Sequence, residues 1–271
     1  MEILKTKYKS VLTIAGSDSG GCAGIQADIK SISACGAYAA SVITATTAQN
    51  TLGVVDIHSL PISHIEQQLD AVLSDISFGA VKIGMLHSQE IITLVNKKIK
   101  EYHLKNIVLD PVMVASSGDR LISNNALNYL KQILPTANLI TPNIPEAEIL
   151  SGYAINLKNM KAVAREIGLL FNTSILLKGG HLDSNTHEII DVLYNYPLDK
   201  LVTIKKDRIN TNNTHGTGCS LSSSIATYLS LGYKLEEAVK KGCKYVNKAI
   251  INGEHKILGK GHGPINHFGL K

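Results

Sequence analysis

Short runs of β-branched and other apolar residues alternate along the chain with longer stretches whose apolar positions recur at helical spacing. This alternation is typical of repeated βα units. Segments such as NIVLDP and NTSILLKGG are apolar at successive positions, as expected for interior strands of a parallel sheet that helices cover on both sides. The predicted strands are residues 11–15, 41–44, 80–83, 107–110, 139–141 and 174–178. The pattern therefore predicts a doubly wound α/β fold.

The helical stretches begin at recognisable caps. Ser63 and Glu66 have the spacing of a capping box ahead of one amphipathic stretch, and Ser88 precedes another. Near the C-terminus, the pattern predicts one long helix that opens within GTGCSLSSS and a second over roughly residues 235–251. Before these helices, IIDVLYN and KLVTIKK flank NYPLDK and predict a β-hairpin, which we place at an antiparallel edge of the same sheet.

The composition is that of a compact globular protein, with 271 residues of which 44% are hydrophobic and 18% charged. No linker, repeat or low-complexity tract interrupts the chain, so a single domain over residues 1–271 is the simpler interpretation. The four cysteines are widely spaced and form no zinc or disulfide pattern, which favours a reducing, cytoplasmic location. No signal-peptide core and no run of roughly 18 apolar residues is present, so we expect neither export nor membrane association.

The charge pattern narrows the choice of ligand. A net charge of +5 suits a polyanionic ligand, but the lysines are dispersed, and the chain has three Phe and no Trp for base stacking. Nucleic acid is therefore disfavoured as a partner, and a small phosphorylated molecule is favoured.

Polar and glycine-rich segments follow the predicted strands one after another. In an open parallel sheet, ligands bind beyond the carboxyl ends of the strands. The segments, in strand order, are AGSDSGGCAG, TAQNT, GML, DPVM, TPNIPEAE and KGGH. Such an ordered series at one edge of the sheet predicts an active-site rim.

The first of these segments, residues 16–24, lies between a strand and a helix and has the composition of a loop that cradles a ligand with backbone N–H groups. Its spacing does not match G-x-G-x-x-G, which disfavours a dinucleotide-binding dehydrogenase; a tight turn without a ligand is the alternative. Residues 253–260 have the wrong spacing for a Walker A motif, and Gly261 replaces its Ser/Thr, so the chain is not a P-loop protein.

The segment NTHGTGC, residues 213–219, directly precedes a strongly patterned helix. Gly216 and Gly218 allow consecutive N–H groups to turn inward as an anion hole, and the helix dipole adds to the stabilisation of phosphate charge. Cys219 falls in the first helical turn, where we expect the thiolate to be favoured and the residue to serve as a base or reactive group. The alternative is a small buried side chain, the commonest fate of a free cysteine.

Four more candidates lie at strand ends or just beyond them. Asp110 and Glu146 are suited to hold Mg²⁺ through water, and Lys178 to neutralise a triphosphate. Asn143 and Glu146 are three residues apart, so one helical turn places them on the same face. Taken singly, Asp110 is explained equally well as a cap before Pro111, and Glu146 as a solvated carboxylate at a helix start. Together with the anion hole, they predict a phosphoryl-transfer site.

In this combination the chain resembles a known family. The segments AGSDSGGCAGIQAD, SVITATTAQNT, VKIGML, LDPVMVASSGD, LITPNIPEAEIL, LLKGGH, NTHGTGCSLSSSIA and GKGHGP run in order over nearly the whole chain. They are similar to those of the hydroxymethylpyrimidine/phosphomethylpyrimidine kinases of thiamine biosynthesis. The resemblance implies a ribokinase-like three-layer αβα fold with a mostly parallel sheet and an antiparallel edge hairpin. It also implies ATP-dependent phosphorylation of 4-amino-5-hydroxymethyl-2-methylpyrimidine and then of its monophosphate.

The resemblance implies roles for residues at matching positions. Gln49 is implied to hydrogen-bond the aminopyrimidine, and Cys219, where most of the superfamily has Asp, to activate the acceptor oxygen. The other implied roles are ring enclosure by Gly16, Met85 and Val112, the anion hole of Gly216 and Gly218, nucleotide contacts from Lys178, Asn143 and Thr214, and Mg²⁺ organised by Asp110 and Glu146. Met85 is otherwise a residue that we expect in the core. The implied ligands are the pyrimidine, ATP and Mg²⁺, and related folds suggest a homodimer.

Several alternatives stay open at this point. A pyridoxal or pyridoxine kinase of vitamin B6 salvage shares the anion loop, and a catalytically silent ligand sensor is a rival of another class. Cys22 departs from the family, which commonly has Gly there, and narrows the pocket only if its thiol faces the ring. His215, His262 and His267 lie in loop motifs, and the sequence does not assign them a role.

Overall fold

The computed structural model describes residues 6–113, 124–180, 182 and 187–270. Two predicted motif parts, residues 114–119 of LDPVMVASSGD and His181 of LLKGGH, lie outside the described residues. The described strands are β1 (Ser10–Asp18), β2 (Tyr38–Asn50), β3 (Gly53–Ser59), β4 (Ala80–Ile83), β5 (Ile107–Leu109), β6 (Leu139–Ile140), β7 (Ser174–Leu177), β8 (Glu188–Asn195) and β9 (Lys200–Asp207). These strands form one sheet in the order β3-β2-β1-β4-β5-β6-β7-β8-β9.

The centre of the sheet is parallel and both of its edges are antiparallel. Strands β2, β1, β4, β5, β6 and β7 pair in parallel. Strand β3 pairs antiparallel with β2 at one edge, and β8 and β9 form an antiparallel hairpin at the other. The predicted parallel sheet with an antiparallel edge hairpin is confirmed.

Helices cover both faces of the sheet. The described helices are α1 (Gly24–Ala34), α2 (Ile62–Asp75), α3 (Gln89–Glu101), α4 (Asn124–Ile133), α5 (Ile144–Ser151), α6 (Met160–Leu170), α7 (Thr217–Ser230) and α8 (Leu235–Gly253). Helices α2 to α6 pack in one apolar layer, whereas α1, α7 and α8 pack in the other. In β1, Leu12 and Ile14 face the first layer and Val11 the second, as the alternation of side chains along a strand requires. The three-layer αβα fold is confirmed.

One strand, β3, was not predicted from the sequence. Strand β3 has no buried residue, and its Val55 is 82% exposed, so its sequence GVVDIHS lacks the apolar face that marks an interior strand. Its partner β2 is much longer than the predicted residues 41–44, because its second half runs alongside β3. The β2–β3 hairpin carries the TAQNT segment to the edge of the predicted site.

The helix caps were predicted in part. The prediction of a capping box at Ser63 and Glu66 is wrong, because α2 begins at Ile62. Its N-cap residue is Pro61, whose side chain forms no capping hydrogen bond. The serine thus lies inside the first turn. Ser88 does cap α3, since its Oγ accepts the backbone N–H of Ile91 at 3.3 Å. The last predicted helix, residues 235–251, is observed as Leu235–Gly253.

The parallel strands end at one edge of the sheet, and a cavity of about 800 Å³ opens there. All the predicted site residues line it: Gly16, Gln49, Met85, Asp110, Val112, Asn143, Glu146, Lys178, Thr214, Gly216, Gly218 and Cys219. The cavity extends past Lys178 to side chains of β8, β9 and α8, including Lys206, Asn247 and Ile250. In the described part of the chain, the helices are too short or too polar to cross a bilayer.

Candidate active site

The first loop is organised by Asp18, at the end of β1. Its buried carboxylate accepts the backbone N–H groups of Gly20 at 2.8 Å, Cys22 at 2.9 Å and Ala23 at 2.8 Å, which turns the chain sharply into α1. Gly24 has φ of +57°, and a Cβ there would lie 2.4 Å from a backbone carbonyl of β1. The glycines therefore serve, at least in part, the close packing of this turn.

Cys22 is fully buried and is not among the residues that line the cavity. Burial raises the pKa of its thiol, and the nearby Asp18 carboxylate raises it further. Of the two orientations that the sequence allowed, the structure has the one in which this side chain does not narrow the pocket.

Gly16, Met85 and Val112 line a slot of the cavity where β1 and β4 end. The Cε of Met85 lies only 2.7 Å from the position that a Cβ on Gly16 would occupy, so the methionine lies across this glycine. The Oγ1 of Thr44 donates to the backbone carbonyl of Met85 at 3.0 Å and fixes the start of the loop. Val112 lines the same cavity. Apolar groups of this kind commonly line the sites of small-molecule ligands.

Gln49 lies at the edge of this slot, and its backbone and side chain are both anchored. Its carbonyl accepts the Ser19 hydroxyl at 2.8 Å, and its N–H donates to the same hydroxyl at 2.9 Å. Its side-chain Oε1 accepts the Thr47 hydroxyl at 3.0 Å, and its Nε2 lies 3.2 Å from Nε2 of His215. An amide held in this way presents a fixed pattern of donor and acceptor to a ligand.

Lys178 and Asp110 form an ion pair at the centre of the cavity. The Nζ of Lys178 donates to Oδ1 of Asp110 at 3.0 Å, and the Thr141 hydroxyl donates to the same oxygen at 2.8 Å. Burial works against the ammonium, but Asp110 and then Glu146 outweigh it, so the pKa of Lys178 is raised. Lys178 therefore carries its positive charge at any physiological pH and is placed to bind phosphate oxygens.

Glu146 is not the solvated helix-start carboxylate that the sequence allowed. It is 3% exposed and forms a reciprocal capping box with Asn143, in which the backbone N–H of Asn143 donates to Oε2 at 2.8 Å and the backbone N–H of Glu146 donates to Oδ1 at 2.9 Å. Burial raises its pKa to about 7, with Lys178 opposing the shift. Asn143 thus uses its carbonyl oxygen to begin α5 and has its amide nitrogen left for a ligand.

The anion loop packs directly on the first loop. Gly216 has φ of +83°, and a Cβ there would lie 1.8 Å from the carbonyl oxygen of Cys22. A Cβ on Gly218 would lie 3.4 Å from both Oδ2 of Asp110 and Nζ of Lys178. Helix α7 begins at Thr217, so its free N–H groups and its dipole point at the same space as the lysine. Backbone N–H groups and a cation that converge in this way are suited to bind a phosphate group.

The thiol of Cys219 does not have the lowered pKa that its place in the first turn of α7 predicted. Burial raises its pKa to about 11, and the opposing contributions from Lys82 and from the N–H of Gly24 are smaller than the effect of burial. At neutral pH this residue is therefore a thiol. The prediction failed because helix position alone does not report how far the surrounding protein removes the sulfur from water.

Sequence reasoning missed Lys82, which lies beneath Cys219. It is fully buried, and its Nζ donates to Oδ2 of Asp28 at 2.7 Å; the hydroxyls of Thr13 and Ser223 complete the contacts of that carboxylate at 2.6 and 2.7 Å. Burial opposes the ammonium, but Asp28 and then Cys219 and Asp110 raise the pKa of Lys82 above its ordinary value. A lysine inside an otherwise apolar strand, VKIGML, is the signal that could have revealed it.

We expect Lys82→Met to lower the free energy of unfolding by about 3–5 kcal/mol, because Asp28 is then a buried charge without a cation. Urea unfolding followed by circular dichroism measures this. The double variant Lys82→Met/Asp28→Asn should recover part of the loss, since Asn is neutral and pairs with both hydroxyls, accepting from one through its oxygen and donating to the other through its nitrogen. Lys97→Met is the matched control: the Lys97 side chain is 63% exposed, and a loss of about 0.5 kcal/mol or less is expected. A loss below about 1 kcal/mol in Lys82→Met would contradict the prediction.

The C-terminal segment GKGHGP ties these loops together. The backbone of His262 donates to the Thr51 carbonyl at 3.0 Å, and that of His215 donates to the Gly263 carbonyl at 3.1 Å. His267 is buried against the Ser220 hydroxyl at 3.0 Å, and burial lowers its pKa to about 4. His262 and His267 therefore have structural contacts that the sequence did not assign.

A lysine paired with a carboxylate, a glycine-rich anion loop at a helix start and a slot for a small ring, all at one edge of a three-layer αβα sheet, define a ribokinase-like phosphotransferase. A family model described as phosphomethylpyrimidine kinase matches residues 18–266. The chain belongs to this family, as the motifs predicted.

Two curated relatives illustrate the match. The chain is 43% identical to the hydroxymethylpyrimidine/phosphomethylpyrimidine kinase of Haemophilus influenzae over 97% of its own length and 98% of that protein. It is 48% identical to a thiamine biosynthesis bifunctional protein of Geobacter sulfurreducens over 96% of its own length. The chain spans 52% of the length of that bifunctional relative.

Solved structures share the fold. A crystal structure of phosphomethylpyrimidine kinase from Clostridium difficile is 44% identical, with a TM-score of 0.78 over 89% of this chain and 99% of that one. The ADP complex of Bacillus subtilis pyridoxal kinase is 32% identical, with a TM-score of 0.87 over 96% of this chain and 98% of that one. The identity is thus higher to the pyrimidine kinase.

Proposed function

We propose that this protein transfers the γ-phosphoryl group of ATP to the hydroxymethyl oxygen of 4-amino-5-hydroxymethyl-2-methylpyrimidine, and then phosphorylates the resulting monophosphate to the diphosphate. The observation that carries the proposal is a single cavity in which the ring slot and Gln49 adjoin the Lys178–Asp110 pair and the anion loop. The names of full-length relatives support the same substrate, as does the higher identity to pyrimidine kinases.

The ring slot selects the acceptor by shape and by polar pattern. The aminopyrimidine lies against Met85, whose Cε packs over Gly16 where no Cβ would fit. The free N–H of the Gln49 amide donates to a ring nitrogen, and the free lone pair of its oxygen accepts from the exocyclic amine. Two such bonds orient the hydroxymethyl group toward the anion loop and Cys219.

Phosphoryl transfer requires little covalent help from the protein, so its residues act through position and charge. The acceptor oxygen forms a bond to the γ-phosphorus as the bond to the β–γ bridging oxygen breaks, and ADP leaves with that electron pair. Lys178 and the N–H groups of the loop at Gly216 and Gly218 stabilise the charge that spreads over the phosphoryl oxygens. The hydroxyl proton leaves to solvent, or to Cys219 in the minor fraction of molecules in which its sulfur is a thiolate.

The carboxylates fit a hydrated Mg²⁺ ion. The Oδ2 of Asp110 faces the anion loop beside Gly218. Glu146 lies close enough to Asp110 and Lys178 for both charges to shift its pKa. Mg²⁺ commonly keeps several waters and takes one or two carboxylates together with substrate phosphates. Asp110 and Glu146 would hold it, and it would neutralise charge on the nucleotide phosphates.

The experiment that tests the proposal compares acceptors. We expect ATP-dependent ADP release to show a higher kcat/KM with the hydroxymethylpyrimidine than with pyridoxal, and mass spectrometry to find the pyrimidine diphosphate among the products. A higher kcat/KM with pyridoxal would favour the vitamin B6 alternative. Absence of ADP release with every acceptor would favour a silent sensor, which the retained Lys178, Asp110 and Glu146 argue against. A monophosphate as the final product would remove the second step from the proposal.

We place the protein in the cytoplasm and expect a homodimer. The four cysteines are free thiols, as in a reducing compartment. The exposed edge of β3 is a surface on which a second copy could pair. Sedimentation equilibrium at micromolar concentration measures the oligomeric state.

A further inference from the structure

His215 belongs to the anion loop, yet its ring contacts the residue that faces the acceptor. It is 8% exposed, and its Nε2 lies 3.2 Å from Nε2 of Gln49. On the other side of the same amide, Oε1 accepts the Thr47 hydroxyl at 3.0 Å. The nitrogen and the oxygen of the Gln49 amide therefore each contact a protein side chain.

The backbones that carry this contact are fixed independently of it. Gln49 exchanges two hydrogen bonds with the Ser19 hydroxyl. His215 donates its N–H to the carbonyl of Gly263 at 3.1 Å and forms a parallel bridge with Pro264. The surrounding loops thus set the distance between the His215 imidazole and the Gln49 amide. This distance does not depend on the hydrogen bond between the two side chains.

An amide nitrogen donates hydrogen bonds and does not accept them. With Nε2 of Gln49 turned toward the imidazole, Nε2 of His215 must accept, and the proton of the neutral ring lies on Nδ1. If His215 carried a proton on Nε2, the amide would have to rotate by half a turn and exchange its oxygen and nitrogen. The state of one imidazole thus decides which pattern Gln49 presents to the ring slot.

We infer that His215 is a positioning residue that holds the Gln49 amide in the one orientation that matches a ring with adjacent amine donor and nitrogen acceptor. This inference rests on the proposed function, because it concerns the same acceptor. Reversing the amide would bring its NH₂ group against the amine of the pyrimidine and its oxygen against the ring nitrogen. Both bonds would be lost together, which makes the contact a determinant of specificity.

The charges around His215 favour the neutral ring. Burial lowers its pKa and nearby His262 lowers it further, whereas Asp18 opposes both. The Asp18 carboxylate already accepts three backbone N–H groups, which partly satisfy its charge. His215 is therefore neutral at physiological pH and gains a second proton in acid, where it no longer accepts from Gln49 and affinity for the pyrimidine falls.

Calorimetric titration of the full chain with 4-amino-5-hydroxymethyl-2-methylpyrimidine, without ATP, tests this between pH 8 and pH 5. At pH 8 we expect His215→Leu to raise Kd about tenfold, since the amide loses its acceptor, and His215→Gln, which keeps an acceptor oxygen, to stay within about threefold of the unaltered chain. In acid, Kd of the unaltered chain should rise more than that of His215→Gln. The ring nitrogen of the pyrimidine titrates equally in every variant, so this difference reports His215.

The control is His255→Gln, the same change at a histidine that is 92% exposed, which should follow the unaltered chain at every pH. Thermal unfolding verifies that each variant is folded. A Kd for His215→Leu within about twofold of the unaltered chain overturns the inference, as does an identical pH dependence of the unaltered chain and His215→Gln. Absence of pyrimidine binding by the unaltered chain overturns the proposed function instead, and the inference with it.

Discussion

Replacing Cys219 by alanine is expected to lower kcat by about 10²-fold or more while KM for the pyrimidine changes by a few-fold at most. The sulfur lines the cavity beside the anion loop, so its removal affects the acceptor oxygen and leaves the ring slot and Gln49 intact. Steady-state kinetics with saturating ATP measures both constants. Unchanged turnover would mean that another group, or the geometry of the bound substrates, activates the hydroxyl.

The raised pKa of the thiol adds a pH dependence to this prediction. Because the pKa is about 11, the thiolate fraction grows tenfold with each pH unit between 7 and 9. If the thiolate is the base, kcat of the unaltered protein rises with pH over this range, and the slope is absent in Cys219→Ala. Cys35→Ala is the matched control, since burial raises the pKa of Cys35 to about 11 as well, but the residue is not part of the cavity. It should leave both kcat and its pH slope unchanged.

Gly216→Ala is expected to reduce kcat/KM by about 10²-fold or more. The added Cβ would lie 1.8 Å from the carbonyl oxygen of Cys22, so the two loops must separate, and the N–H groups that form the anion hole move with them. Loss of one such preorganised donor typically costs about 10²–10³-fold in kcat. The measurement is kcat/KM for ATP and for the pyrimidine, with circular dichroism to verify the fold.

A matched control separates this steric clash from backbone strain. Gly232 also has a left-handed φ, of +93°, but a Cβ there would meet nothing within 4 Å. Gly232→Ala therefore costs about 1–2 kcal/mol of strain and should leave kcat/KM within about twofold. If Gly216→Ala kept activity within tenfold of the parent, or if both variants lost activity equally, the close approach of the loops would not be what forms the anion hole.

Much of the fold was predictable because its interior strands are buried on both faces, which leaves a strong apolar signal. Residues 80–83 were predicted to the residue as β4, and the strand ends predicted where the site would form. Strand β3 gave no such signal, because it is exposed at an edge and is held by backbone pairing to β2. Local capping was predictable at Ser88, where the serine directly precedes the helix, and misleading at Ser63, which lies one residue inside its helix.

The electrostatics of the site depended on contacts between distant parts of the chain. Residues Lys82 and Asp28 are 54 positions apart, and nothing in the local pattern joins them. The effect of burial on Cys219 follows from loops that come together only in the folded protein, so an argument from the helix dipole alone gave the wrong sign. The contact between Gln49 and His215 spans 166 positions for the same reason. Sequence motifs placed these residues at one site but did not reveal how they act on one another.

The cavity is divided between separate parts of the sheet. Gln49 and the loop that fixes it belong to the hairpin edge at β2 and β3, whereas Asp110, Glu146 and Lys178 follow β5, β6 and β7. On the proposed function, the hydrogen bonds of Gln49 to the acceptor and the contacts to the phosphoryl group thus come from different stretches of the chain. A change in the hairpin would then alter the hydrogen bonds to the acceptor and leave the residues that contact the phosphoryl group in place.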